Sequence, residues 1–466
     1  MHADRVLMPL SQSIKDHATY KNGHFVDHVI TDDGKGYPRI LMESGVIEEL
    51  IRKELLLDSH MLDDPSYGSG RVTFRQQLVK ISYPPEWTSA LQARTALVVL
   101  EVQSILNRRG FGLIDCHPFN FVIHEGKPKL VDIGSIKNKT HHKDLMFPEL
   151  EFIQTYMIPL ALRRNGKAYL ALMISGLERH EMLPISEVSW YAPWPLKSLS
   201  FVPKTMGKRV LLQVIAPHLK VNPNALGDDR RLVKFRNVAN LLLAWPTGRR
   251  IRRYRRRLNK YLGKQHRKNV GYWTKYEATI MEDESRLHHV SEMISSLDPC
   301  SVLDIGGNSG YLGERVNSLS RKTVDYTVAD LDEGALERGE ANENRSRLRF
   351  LVLDFYNPWL SYNTAPIAKR INSDVVVMLA LSHHLSLTQG MSFECIWSRV
   401  AEFTTQFAII EFMPLGLWIP GQEPRTPDWY SLRNFVAAME PQFELVSTTK
   451  IEENRIVVLA KKLDIG

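Results

Sequence analysis

Three carboxylates stand within or just after successive short apolar runs in the last third of the 466-residue chain. Asp304 lies inside Val302-Leu303-Asp304-Ile305, Asp330 follows Tyr326-Thr327-Val328-Ala329, and Asp354 follows Phe350-Leu351-Val352-Leu353. Between the first two runs lies Gly306-Gly307-Asn308-Ser309-Gly310. Glycines of this kind allow a tight strand-to-helix turn and a close backbone approach to a ligand. An acid twenty residues beyond Gly310 is placed to accept both hydroxyls of a ribose. Asp354 is placed to meet an adenine edge. The spacing is D-x-G-x-x-x-G rather than G-x-G-x-x-G, which disfavours NAD. Ligands of open α/β sheets bind along the carboxyl edge of the strands, where these acids fall. The cofactor expected there is S-adenosylmethionine (SAM). Its expected binding set is Asp304, Gly306, Gly307, Asn308, Gly310, Asp330, Asp354 and Leu379; no metal site is expected.

Methyl transfer from a sulfonium is an in-line displacement. The protein must aim the acceptor at the methyl carbon and remove a proton when the acceptor is a hydroxyl. His383 and His384 follow the fourth strand of this region, 374–379, at the edge where an acceptor would lie; an imidazole is a base suited to neutral pH. His384 is slightly favoured. Glu411, after the fifth strand, is a second candidate. The plain alternatives are a helix cap for a histidine and a structural hydrogen bond for Glu411. No [DN]PP[YFW] follows strand four, as amino-group methylases usually have it, and no Pro-Cys pair offers the thiolate of a C5-pyrimidine enzyme. Oxygen on a small molecule or glycan is the acceptor left by elimination.

The elements that must position these residues follow from texture. Length predicts two or three domains at ~100–200 residues each. The composition, 44% hydrophobic and 24% charged, is that of a folded chain and excludes a mainly disordered or fibrous one. Residues 291–466 alternate apolar runs with helical stretches, which argues for a parallel sheet covered by helices. Runs at 443–449 and 455–461 read as a closing hairpin, so the last strand is expected to be antiparallel. Residues 1–145 form an α+β region with one Ala- and Leu-rich helix near 88–108. Residues 146–270 read as a mainly helical connecting region. No run is apolar enough to span a membrane, and three scattered cysteines suit a reducing cytoplasm. The net charge of +8 is local: 249–268 holds eleven Lys or Arg and no acid, leaving 49 basic against 52 acidic residues elsewhere. Ile251, Tyr254, Leu258, Tyr261 and Leu262 recur at threes and fours, predicting a basic amphipathic helix. It is expected to be a solvated surface helix, with a weak, salt-sensitive anionic partner as the rival reading.

The N-terminal region carries a second pattern. Asp115-Cys-His-Pro-Phe-Asn120 is followed by Asp132-Ile-Gly134, with strand-like Phe121–His124 and Lys129–Val131 between. These segments resemble the catalytic and magnesium-binding loops of protein kinases and aminoglycoside phosphotransferases. The resemblance implies that Asp115 would orient a hydroxyl, and that Asn120 and Asp132 would hold Mg²⁺ between phosphates. The His-Arg usual before the first Asp is replaced by Leu113-Ile114. Gly68-Ser69-Gly70 with Lys80 could stand in for a glycine-rich loop and its lysine. The leading reading is a kinase-like fold without catalysis, ahead of nucleotide or metal binding and of phosphotransfer. Tyr83-Pro84-Pro85-Glu86-Trp87 reads as an extended stretch that packs Tyr83 and Trp87 on the core.

VLDIGGNSG (302–310), ADLD (329–332), LALSHHL (379–385) and IIEFMP (409–414) together resemble class I SAM-dependent methyltransferases of the nodulation-protein type. ISYPPEW (81–87), IDCHPFNF (114–121), KPKLVDIGSI (127–136) and FIQTYMIPLAL (152–162) resemble the N-terminal half of that family. Gly307 departs from it, since Cys is common there; looser packing under the turn is the expected consequence. The resemblance implies a Rossmann-like seven-stranded sheet over 271–466 and a cytoplasmic SAM-dependent methyltransferase. The rival functions are an ATP-dependent phosphotransferase and a non-catalytic SAM sensor.

Overall fold

The computed structural model describes residues 5–7, 17–31, 36–62, 71–138, 148–175, 247–265, 284–358, 365–417 and 426–464. Gly68-Ser69-Gly70 lies outside them. The N-terminal half begins with strands β1 (Arg5–Leu7), β2 (His17–Asn22) and β3 (Phe25–Thr31), helices α1 (Tyr37–Glu43) and α2 (Val46–Arg52), and strands β4 (Ser59–Leu62) and β5 (Arg71–Gln77). The strands form one antiparallel sheet, ordered β1-β2-β3-β5-β4. Helix α3 (Ser89–Arg108) starts where Thr88 accepts the Leu91 amide at 2.9 Å, an ordinary N-cap. Two short pairs follow: β6 (Phe111–Leu113) with β9 (Ile136–Asn138), and the hairpin β7 (Phe121–His124) with β8 (Lys127–Leu130). The expected hairpin between Asn120 and Asp132 is therefore present.

Helices α4 (Glu149–Phe152), α5 (Ile158–Arg164), α6 (Ala168–Ser175) and α7 (Thr247–Gln265) come next, with a π-helical turn at Ile153–Met157. They do not form a separate connecting layer. Phe152, Tyr156, Leu160, Ala171, Tyr254 and Leu258 share one hydrophobic core with Ile30, Leu50, Leu100 and Ile136. On α7 the apolar stripe does the packing: Ile251, Tyr254, Leu258 and Tyr261 are buried, while Arg252, Arg256 and Lys260 are exposed. The helix expected over the basic run is present as far as Gln265, the last three residues of the run lying outside the described residues, and it is seated on α3 by its narrow apolar face.

The C-terminal half opens with α8 (Glu284–Ser296) and then alternates: β10 (Ser301–Ile305), α9 (Tyr311–Leu319), β11 (Asp325–Asp330), α10 (Glu333–Ala341), β12 (Arg349–Val352), α11 (Ile367–Ile371), β13 (Ser373–Met378), α12 (Phe393–Phe403), β14 (Thr404–Phe412), α13 (Leu432–Ala437), β15 (Phe443–Glu452) and β16 (Arg455–Lys462). The sheet order is β12-β11-β10-β13-β14-β16-β15. The pairs among the first five strands are parallel, and β16 runs antiparallel to both β14 and β15. Period-two alternation sends Leu303, Val376 and Ile410 into one core and Val302, Val375 and Ile409 into the other, so both faces are buried. Order reverses between β10 and β13, and the crevice beyond that point is where the sequence places its site. No described helix is long and apolar enough to cross a membrane.

Candidate cofactor and acceptor site

The chain leaves β10 at Ile305 and turns sharply. The Gly306 amide donates to the Ala329 carbonyl at 2.7 Å, and the Gly310 amide to the Gly307 carbonyl at 2.9 Å. Gly310 has φ +85°, a conformation that favours glycine. A Cβ on Gly307 would lie 2.6 Å from Cγ and Oδ2 of Asp304. The looser packing expected at Gly307 is therefore not found, because the Asp304 carboxyl fills that space. Asp304 is buried, and its Oδ2 accepts the Tyr326 hydroxyl at 3.0 Å. Burial pushes this carboxyl up to about 7, against the lowering effect of the Tyr326 hydrogen bond. Asp304 underlies the turn, a supporting place rather than the ligand-facing one expected from sequence.

Asp330 ends β11 beside that turn. One carboxyl oxygen accepts the Asn308 amide at 2.9 Å and the other the Asp332 amide at 2.8 Å. A carboxylate has about four acceptor positions, so these two bonds do not exhaust it. Burial raises its pKa, opposed by these same backbone amides. Asn308 Oδ1 is buried without a hydrogen-bond partner, a polar atom at the turn that a ligand donor could satisfy. The Leu353 amide donates to the Asp330 carbonyl at 3.0 Å, which sets the ends of β11 and β12 side by side. Asp354 follows, its Oδ1 accepting the Asn357 amide at 3.0 Å, and half-buried Leu379 follows β13. The sequence missed Asp332, which fixes Asp330 and also N-caps α10 through Gly334 and Ala335 amides at 2.9 and 3.2 Å. An Asp just before a helical run was the available signal.

His383 and His384 lie in a helical turn beyond β13, their ring centroids 4.1 Å apart. His383 is buried and its Nδ1 has no partner; burial, with His384 and Arg455 nearby, lowers its pKa to about 3. His384 is half-buried and lowered by burial. Both are neutral near pH 7, as a proton acceptor must be. Glu411 is different. Its carboxylate accepts from Arg455 at 2.9 Å, from Arg286 at 3.4 Å and from the Ala380 amide at 2.8 Å, and it is fully buried. A carboxylate whose oxygens are taken up by two guanidiniums and a backbone amide is an anchor. It holds Ala380 at φ +50°, a strained position for a non-glycine residue, in the turn that leads to His383. The chain's Pro299-Cys300 pair precedes β10, at the opposite end of the strand from the cofactor turn, and so offers no pyrimidine-attacking thiolate there.

In the N-terminal half, the Asp115 charge lies close enough to raise the Asp132 carboxyl, and the Val131 amide donates to the Asn120 carbonyl at 2.9 Å. The backbone thus ties the Asn120 turn to the segment that carries Asp132. Burial pushes Asp132 up to about 6. Lys80 does not join them. It pairs with Asp325 at 3.2 Å and donates to Ser373 Oγ at 3.0 Å, both in the C-terminal half. Among the described residues no group of three or more His, Cys, Asp or Glu side chains is arranged to hold a metal.

No family model matches the chain. It is 25% identical over 461 residues to nodulation protein NoeA of Rhizobium meliloti (strain 1021), across 91% of this chain and 90% of that protein. The resemblance to nodulation-type proteins therefore runs through both halves. Among solved structures, the chain is similar to a protein of Nostoc punctiforme PCC 73102 described as a candidate O-methyltransferase: 15% identity, 41% of this chain, 59% of that one, TM-score 0.32. The methyltransferase domain of bacterial CtHen1 matches at 16% identity over 38% of this chain and 97% of its own, TM-score 0.31. WbdD, solved with the kinase inhibitor LY294002, matches at 18% identity over 38% of this chain and 40% of its own, TM-score 0.28.

Proposed function

We propose that the C-terminal half is a class I methyltransferase domain that binds SAM and methylates an oxygen of a small molecule or glycan. The observation that carries this reading is the pairing of Asn308 and Asp330 across the turn, at the carboxyl edge of a sheet ordered β12-β11-β10-β13-β14-β16-β15. That order, with an antiparallel closing strand, is the arrangement expected of such a domain. Asp330 would accept the ribose hydroxyls. Asn308 would offer its unpartnered Oδ1, the backbone of Gly306, Gly307 and Gly310 would line the approach, and Asp354 would meet the adenine. Leu379 would cover the apolar side. When bound, SAM supplies a methyl group activated by its sulfonium. The chain's own residues must then orient the acceptor hydroxyl and take its proton. His384, the more accessible of the neutral imidazoles, is the base proposed, with His383 packed against it. The protein would act where no membrane span is needed.

Calorimetry on the full chain tests this reading. Wild type should bind SAM, and Asp330→Ala should bind it roughly ten- to a hundredfold more weakly, as loss of charged-acceptor hydrogen bonds worth ~1.5–3 kcal/mol requires. Equal affinity in the two proteins would remove Asp330 from the site. Labelled SAM incubated with cell extract would then reveal the acceptor.

A further inference from the structure

We infer that the N-terminal half is a built-in positioning element for the cofactor carboxylate, acting through α10. The inference rests on Asp330 being the cofactor ligand proposed above. Helix α10 begins at the residue after the Asp332 cap that fixes Asp330, and its three acids grip the start of α3. Glu340 accepts the Thr88 hydroxyl at 2.9 and 3.0 Å and the Arg94 guanidinium at 2.6 Å. Glu337 accepts the Ala90 amide at 3.0 Å. Glu333 accepts the Ser89 amide and hydroxyl and, through its other oxygen, Arg163 at 2.8 Å. The first amides of any helix lack internal partners and carry its positive pole, so carboxylates suit them. Here those carboxylates come from the other half of the chain.

A second grip acts on the two strands whose carboxyl ends carry the site. Lys80 reaches Asp325 at the start of β11 and Ser373 at the start of β13. The Arg370 guanidinium, just before β13, donates to the Ile81 carbonyl at 2.8 Å, pairs with Glu86, and lies 4.3 Å from the centroid of the Tyr83 ring. Glu86 in turn accepts the Tyr83 amide at 2.8 Å. The Tyr-Pro-Pro-Glu-Trp segment is therefore more than core packing: Trp87 fills the core, while Tyr83 and Glu86 hold the other half. The Arg163 and Arg370 guanidiniums are largely buried, and Arg94 reaches solvent while its partner Glu340 is buried. The chain of contact runs from Arg94 through Glu340 and α10 to the Asp332 cap, and from Asp332 to the carboxyl oxygen of Asp330. Glu340, Glu333 and Arg94 are positioning residues on this account, since none touches the cofactor edge itself.

The test uses the full-length protein and two readouts. The paired variant Arg94→Met/Glu340→Gln removes both charges together, so that no lone buried charge remains. Amide hydrogen exchange at Asn308 and Asp332 should become at least fivefold faster, while amides of β14 and β16 keep their wild-type rates. SAM affinity should fall at least fivefold, the lower end of ordinary coupling between sites. Arg94→Lys, which keeps the charge, should recover most of both effects. Unchanged exchange at Asn308 and Asp332 would overturn the inference, as would faster exchange spread equally over the whole C-terminal sheet. If wild type binds no SAM, the proposed function falls, and the exchange readout alone decides the positioning role. Should the paired variant fail to fold, Glu333→Gln, at a half-buried site, must produce the same local change at Asp332 or the inference falls.

Discussion

Both halves of the molecule bring carboxylates to a loop edge, and the proposed cofactor site uses only one of these edges. In the C-terminal half, Asp330 is aimed by the Asn308 and Asp332 amides at the end of adjacent parallel strands. In the N-terminal half, the Asp115 charge bears on Asp132, while Lys80 faces the other half. Backbone amides hold carboxylates on both edges, Asp330 through Asn308 and Asp332 and Asp115 through His117, but Lys80 pairs across to the C-terminal half. If that contrast is functional, chemistry should be lost from one half only. His384→Gln should lower turnover by ~10²–10⁴-fold, the ordinary contribution of a general base, while leaving SAM affinity in place. Asp115→Asn should leave turnover within about twofold. A single-turnover assay with labelled SAM and the true acceptor checks both. Full activity in His384→Gln, or loss in Asp115→Asn, would reverse the contrast.

The two halves also differ in how they hold their buried ions. Glu411 lies among Arg286, Arg455 and the Ala380 amide, with both guanidiniums largely buried. Asp27 pairs with Arg75 at 2.7 Å, and that guanidinium reaches solvent. Removing one partner from a fully buried set leaves uncompensated charge, at a cost of ~3–5 kcal/mol. Glu411→Ala should therefore lower the denaturation midpoint clearly more than Asp27→Ala does, in parallel chemical denaturation series. Equal losses would mean that the Glu411 set is as well solvated as the other. The same variant should displace Ala380 and so slow any turnover that depends on His383 and His384.

The legible parts of the molecule were local. Apolar runs ended by acids gave β10 to β12 their places, because strand period and turn chemistry act over a few residues. The closing hairpin around Glu453-Asn454 was legible for the same reason. What escaped depends on residues far apart in sequence. Lys80 reads as a phosphate-binding lysine until Ser373, 293 positions away, is seen to accept from it. Glu411 reads as a base until Arg286 and Arg455 converge on it from other elements. Gly307 is instructive at shorter range: only the fold back of Asp304 under the turn shows that a side chain here would have to displace that carboxyl.

Acidity offers a finer comparison. Burial raises Asp304 to about 7 and Asp132 to about 6, from an ordinary 3.8. In each case the folded state keeps its proton over a range where the unfolded chain has lost it. Between the ordinary and the raised value the folded state binds more protons, so stability declines as pH rises and levels off above the folded value. The Asp304 window closes about one unit higher than that of Asp132. Stability of Asp304→Asn should thus lose part of the wild-type decline between pH 4 and 7, and Asp132→Asn part of that between pH 4 and 6. Denaturant midpoints measured across this range decide it; a wild-type decline retained in full by Asp304→Asn would show that its carboxyl titrates normally.

The smallest effects should come from α7, where charge is abundant but shared with no cluster at the cofactor edge. Its apolar stripe is committed to the N-terminal core, and Arg255 pairs with Glu101. Exposed Arg252, Arg256 and Lys260 recur every fourth residue on the outer side. Replacing any one of them by Ser should change stability by no more than ~0.5 kcal/mol, the usual range for surface positions. The buried places of Tyr254 and Tyr261 leave neither ring for stacking on bases, so an anionic partner would be held through charge alone. Such binding weakens steeply as salt rises, since each neutralised anion releases a counterion. Vesicles rich in anionic lipid should therefore bind weakly at low ionic strength and detach near 0.15 M salt, where the screening length is ~8 Å. The triple Ser variant should not bind them at all. Retention of vesicles at high salt, or by the triple variant, would show that α7 presents more than charge and would place a second functional surface on the half that otherwise only positions.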